Sequence, residues 1–165
     1  MSLLSICQWI QQTSTSTGIR ESQWVFPVIE ATHLLSLAIS VGTIVFVDLR
    51  LIGATMRRQP VTDVISQLQP WALRGFTLMF LTGGLLFWSE PLRCYHSVFF
   101  QAKFVLLALL GINALMFHRG VYRTVAAWDK APDIPLRAKF AGYVSLSLWT
   151  SVILLGRGIA YFSHQ

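Results

Sequence analysis

The sequence predicts an all-α protein: an integral membrane four-helix bundle with a short N-terminal interfacial helix. Three observations carry that prediction. Hydrophobic residues make up 54% of the 165 and charged residues only 12%, against about a quarter charged in ordinary soluble domains. Mean hydropathy is +0.57. Four apolar runs each approach the roughly 20 residues a helix needs to cross hydrocarbon. The 2 Cys, 11 Gly and 6 Pro exclude disulfide-rich and collagen-like classes. A pI near 9.9 could signal nucleic acid, but that requires a basic stripe on a water-facing surface. Here the basic residues stand between apolar runs, so the expected partner is the lipid bilayer, not nucleic acid.

The elements follow in order within a single membrane domain, 1–165. Leu3, Ile6, Cys7 and Ile10, with Trp9 beside them, recur at helical spacing, which predicts an interfacial helix over about 2–12. This stretch lacks the basic start and the length of a signal peptide. A polar run over 11–17 leads into the first span, 24–47, with Pro27 in its first turns, where a missing backbone donor does little harm. The second span, 71–88, carries Gly83 and Gly84, which allow a close neighbour, and Glu90-Pro91 stops it. The third, 98–117, holds Gln101 and Lys103. The fourth, 140–162, holds Arg157 between Gly156 and Gly158.

Orientation follows from the basic residues. The first and third connections hold Arg50, Arg57, Arg58, Arg74, Arg119, Arg123, Lys130, Arg137 and Lys139, and the opposite side holds Arg20 and Arg93. That bias places the basic connections in the cytoplasm and both termini on the outer side. Cys7 and Cys94 then share the outer side, as a disulfide in an oxidising compartment or as two unpaired small residues.

Ionisable residues within the spans point to a site. Burying a charge at mid-bilayer costs at least ~2.5–3.5 kcal/mol, so such residues normally face the bundle interior with partners. Counting ~1.5 Å per residue from Trp24 puts Glu30 ~9 Å and His33 ~13 Å deep. Lys103 and Arg157 each come out ~8 Å deep. Two readings fit this layer: an ion-pair network that sets helix register, or a prosthetic-group site. Neutral imidazole is a common ligand of haem iron, and basic residues neutralise propionates. Below His33, Leu37, Ser40 and Ile44 form an apolar stripe with room for a flat macrocycle. His33 is the expected iron ligand. It acts alone or with Lys103, or His96 if its loop dips inward, as second ligand; Lys103 is otherwise a propionate partner, Arg157 contacts a propionate or Glu30, and Glu30 fixes the charge balance or accepts a proton. His118 sits some ~17 Å below His33, so it reads as an interfacial residue, or as part of a second inner site with Asp48, Arg50 and Arg74. His164 reads as a solvated tail.

Other chemistries lack support. No glycine-rich phosphate loop stands outside the spans, and neither C-x-x-C nor H-x-x-x-H occurs. Ser5, Ser22 and Ser36 have no nucleophile constellation around them. Met56, Met79 and Met116 are scattered in depth, while Trp24, Trp71, Trp88, Tyr95, Tyr143 and Tyr161 mark span ends.

The stretch from Ser22 through Glu30-Ala31-Thr32-His33, followed by Asp48-Leu49-Arg50-Leu51-Ile52-Gly53, resembles the first helix of a small uncharacterised bacterial four-helix membrane protein family. Phe100-Gln101-Ala102-Lys103 leading to Asn113 through Gly120 resembles its third. More distantly, a His in helix one with a Lys early in helix three is similar to the copper-resistance D proteins and membrane protoporphyrinogen oxidase. In the oxidase family these two positions belong to a haem-linked site, which by position would be His33 and Lys103. The expected function is a haem b protein in electron transfer with quinone or a periplasmic redox partner, alone or as a homo-oligomer. The alternatives are a copper or proton carrier using Glu30, His33 and Lys103, or an anchor subunit.

Overall fold

The computed structural model describes residues 2–129 and 134–162, with side chains as far as Gly158. Lys130, His164 and the Tyr161 side chain lie outside the described residues. All described elements are helical: α1 (Leu3–Gln11), α2 (Ser14–Glu21), α3 (Val25–Ile52), α4 (Val61–Ser89), α5 (Pro91–His96), α6 (Val98–Arg119), a 3-10 turn (Val121–Thr124), α7 (Val125–Trp128) and α8 (Leu136–Phe162). Four of them are long and apolar enough to cross a membrane, giving the expected four-helix membrane bundle behind a short N-terminal helix. We call the end bearing α1, α2 and α5 the upper end, and the end bearing α7 the lower end.

Three helices outrun the spans expected of them at the lower end. α3 continues to Ile52, where Gly53 closes it in the left-handed region at φ 81°. α8 starts at Leu136. α4 begins at Val61 and runs through Pro70, a residue that marks a boundary in the sequence. An internal proline costs about 3 kcal/mol, but Val61, Val64 and Ile65 are buried at that end. Val61 and Ile65 join Leu51, Phe117, Trp128, Ile134, Ala138 and Ala141 in a compact cluster. Asp129 ties the first turn of α4 down: its Oδ1 accepts from Thr62 N at 2.9 Å and its Oδ2 from Thr62 Oγ1 at 2.6 Å. Arg50 Nε donates to Gln59 O at 2.9 Å across the α3–α4 turn.

At the upper end, the predicted polar run is helical as α2, because Thr13 Oγ1 caps it by accepting from Ser16 N. Ser16 Oγ and Arg20 Nη1 both donate to Ser89 O, at 3.2 and 3.3 Å, which pins α2 to the end of α4. Leu92 N donates to Gln11 Oε1, which ties α5 to α1. α1 buries Cys7 and Ile10 but exposes Leu3 and Trp9, as an interfacial helix does. Cys7 and Cys94 are both free thiols.

The spanning helices lie in the order α4–α3–α8–α6. Small residues let them approach closely, as van der Waals packing in lipid requires. Gly75 sits against Ser36 and Ser40 on α3, Gly142 against the Asp48 carbonyl, and Gly158 against the Phe99 ring. Among the described residues α4 and α6 share no continuous seam. Near the upper end Phe87 of α4 stacks on Phe100 of α6 with centroids 5.8 Å apart. Below that contact the two outer helices leave a cleft floored by α3 and α8.

Candidate functional site

His33 leaves α3 on the face that packs against α4. Its Nδ1 lies 3.1 Å from Met79 O and 3.1 Å from Thr82 Oγ1. The Thr82 hydroxyl hydrogen goes to Leu78 O at 2.8 Å, so its oxygen accepts. Both partners of Nδ1 are therefore acceptors, and Nδ1 carries the proton. That fixes the tautomer and leaves Nε2 with its lone pair. The ring also packs on Gly83, where an added Cβ would stand 3.1 Å from Cε1; even an alanine there would make the imidazole shift by a few tenths of an ångström.

Lys103 on α6 is half-buried and close enough for its charge to act on His33 and on Cys94. The structure thus brings together two of the five residues expected at this level. Glu30 does not join them, because it is exposed on α3 although only three residues from His33. His33 turns into the α4 seam, which leaves Glu30 at its edge. His96 does not dip inward either: it is exposed on α5, edge-on to the Tyr95 ring at 5.2 Å. Arg157 is exposed on α8, next to Gly158 and hence level with the first turn of α6. Met79 and Thr82, which hold the imidazole, escape a reading based on charge. Their signal is a threonine one residue before a glycine pair in an apolar span.

A bare metal ion asks its protein for several ligands, and among the described residues no group of three His, Cys, Asp or Glu is placed to supply them. A porphyrin brings four nitrogens of its own and asks only for an axial ligand. A histidine with Nδ1 hydrogen-bonded to a main-chain carbonyl has the arrangement that orients metal-ligating imidazoles. His33 thus offers the one donor that a haem would ask of the protein, while the face below it, expected to leave room for a macrocycle, is closed where Ser36 and Ser40 pack against Gly75.

The second inner site expected from Asp48, Arg50, Arg74 and His118 is only partly assembled. Asp48 is 5% exposed, and its Oδ2 has no hydrogen-bond partner. Arg50 is turned away to Gln59 O, and Arg74 is exposed, over the Trp71 ring at 5.4 Å. Asp48 and His118 instead line a cavity of about 400 Å³ in the lower half of the cleft. His118 Nδ1 is 2.9 Å from Ala114 O.

No curated protein and no solved structure matches the chain. Residues 17–163, which include all four spanning helices and both His33 and Lys103, match a family of unknown function (DUF6644), and the chain belongs to that family.

Proposed function

We propose that this protein binds a b-type haem at His33 and transfers electrons between a membrane quinone and a redox partner on the upper, periplasmic side. The observation that carries the proposal is the locked tautomer of His33: main-chain and hydroxyl acceptors hold the proton on Nδ1 and leave Nε2 as a ligand. The haem supplies one-electron chemistry when bound. His33 would hold the haem iron through Nε2, and its bond to Met79 O keeps the ring from rotating. Lys103 places a positive charge at the same level and would pair with a propionate or, as the free amine, serve as a second ligand. Thr82 and Gly83 hold one face of the imidazole against α4 and keep water from competing for Nδ1. The periplasmic assignment of the upper end rests on the excess of Lys and Arg at the lower one.

The test is an absorption spectrum. Wild-type protein, His33→Ala and Lys103→Met are purified in mild detergent and reduced-minus-oxidised spectra recorded. The wild type shows Soret and α-bands, His33→Ala loses them, and Lys103→Met shifts the band position or the midpoint potential. A wild type without a Soret band, after growth with added haem precursor, rejects the proposal. An unchanged spectrum in His33→Ala rejects His33 as ligand.

A further inference from the structure

We infer that the lower cavity between α4 and α6 binds a lipid-soluble, hydroxyl-bearing ring compound, a hydroquinone- or phenol-type headgroup with an apolar tail, entering sideways from the bilayer. Three features of the cavity point to that chemistry. The first is a carboxylate with one oxygen unused. Asp48 is more than nine-tenths buried and lines the cavity; its carboxyl takes a hydrogen bond from the Ser145 side chain and leaves Oδ2 unpartnered. Buried polar atoms are rarely left so, because each unmade hydrogen bond costs free energy.

The second is the sign of the other polar atoms around it. Asn113 Nδ2 donates to Ala141 O at 3.1 Å, which leaves Oδ1 as an acceptor. His118 has Nδ1 against Ala114 O, so Nδ1 donates and Nε2 accepts. The Ser145 hydroxyl is taken up by Asp48 and that of Thr43 by carbonyls of its own helix; apart from the exposed Gln69 amide, the polar groups left to a ligand, on Asp48, Asn113 and His118, are acceptors. A group complementary to them donates, as a ring hydroxyl does and a quinone carbonyl does not.

The third is shape. Away from these groups the wall is apolar, and Phe76 stacks on Trp149 with centroids 5.6 Å apart, a flat surface for a ring. The volume of about 400 Å³ exceeds the ~150 Å³ that holds benzene and lies within the usual range of small-molecule sites. The cleft has no α4–α6 seam to close it, and Gly111 and Ala114, small and exposed on α6, border it. A tail can therefore remain in lipid while the head reaches Asp48.

The probe is 6-heptyl-2-naphthol, whose fluorescence responds to hydrogen-bond donation, with its methyl ether as the donor-less control. Both are titrated into the purified full chain in detergent. The naphthol binds saturably and the ether at least tenfold more weakly. Asp48→Ala weakens the naphthol at least tenfold while leaving the ether unchanged. Ala72→Trp, which keeps the carboxyl but fills the cavity, abolishes binding; both variants are checked for wild-type elution and melting. Non-saturable partitioning, equal affinity for naphthol and ether, or displacement by phospholipid acyl chains alone overturns the inference. His33→Ala retains naphthol binding, so the two sites stand or fall separately.

Discussion

Replacing Gly75 and Gly84 by alanine, one at a time, tests the α3–α4 seam on which the His33 site depends. Both residues lie inside α4, so both substitutions gain the same backbone contribution, about 1 kcal/mol relative to glycine. They differ in what the new methyl meets. At Gly75 it would overlap Ser40 Oγ and stand 3.1 Å from both Ser36 O and Ser40 N; at Gly84 nothing lies within 4 Å. The Ser40 hydroxyl is itself committed, donating to Ser36 O at 2.6 Å, and the backbone atoms of α3 cannot rotate away. The two helices must separate by a few tenths of an ångström, and overpacking of this kind costs about 1–3 kcal/mol. Since the backbone gain cancels between the variants, Gly84→Ala should exceed Gly75→Ala in stability by about 1–3 kcal/mol. Denaturation by sodium dodecyl sulfate in mixed micelles, followed by far-ultraviolet circular dichroism, measures the difference. Two variants within about 0.5 kcal/mol of each other, the ordinary scatter of surface substitutions, would refute the close approach of Gly75 to α3.

Two further outcomes follow from the ends of the bundle. Burial, with the Glu90 carboxylate beside it, pushes the Cys94 thiol up to about 11; only the thiolate is nucleophilic, so a maleimide at pH 7.5 should label Cys94 roughly a hundredfold more slowly than a free cysteine. The raised value also means that the folded state holds this proton longer than the unfolded chain. The associated stability is complete below about pH 9, is lost as pH rises through about 11, and disappears in Cys94→Ser; a pH-independent difference between the two proteins in that range would contradict it. At the lower end, Asp129→Ala removes both bonds to Thr62 and a negative charge from the start of α4. Thermal melts should show a loss of about 1–2 kcal/mol, and Asp129→Asn, which keeps an acceptor, should recover part of it.

The spans were legible because length and apolarity alone define them, and His33 and Lys103 were brought to one level by counting residues from the boundaries. Which face each helix presents was not legible. In lipid the outward side is as apolar as the inward one, so α6 has no apolar face to orient it, and the stripe read on α3 below His33 is matched by exposed Leu34, Leu35 and Ile39 on its other sides. Gly83 and Gly84 look alike in sequence, yet Gly83 meets His33 and Gly84 meets nothing; Gly158 meets Phe99 while Gly156 meets nothing. Glu30 shares its depth with the site but not its direction. Pro70 reads as a boundary because local propensity opposes a helix there. Val61 and Ile65 are buried in one cluster with Phe117, Trp128, Ile134 and Ala138, residues far away in sequence, and that packing overrides it.

His33 and His118 have the same local chemistry, since each has Nδ1 against a main-chain carbonyl and a free Nε2. What separates them is where that carbonyl belongs. The acceptor of His118 lies four residues back on its own helix, so the bond survives whatever α6 does and holds the side chain at the rim of a cleft. The acceptors of His33 belong to a different helix, so the imidazole is fixed only while α3 and α4 stay together. A ligand that needs a rigid nitrogen is served by the second arrangement, and one that arrives through lipid and needs only an acceptor is served by the first. The two groups of residues sit on opposite halves of α3, His33 and Asp48 being separated by about 22 Å of helix. Because the seam at Gly75 lies between them, loosening it should disturb His33 through its cross-helix bonds and leave the contacts of His118 intact.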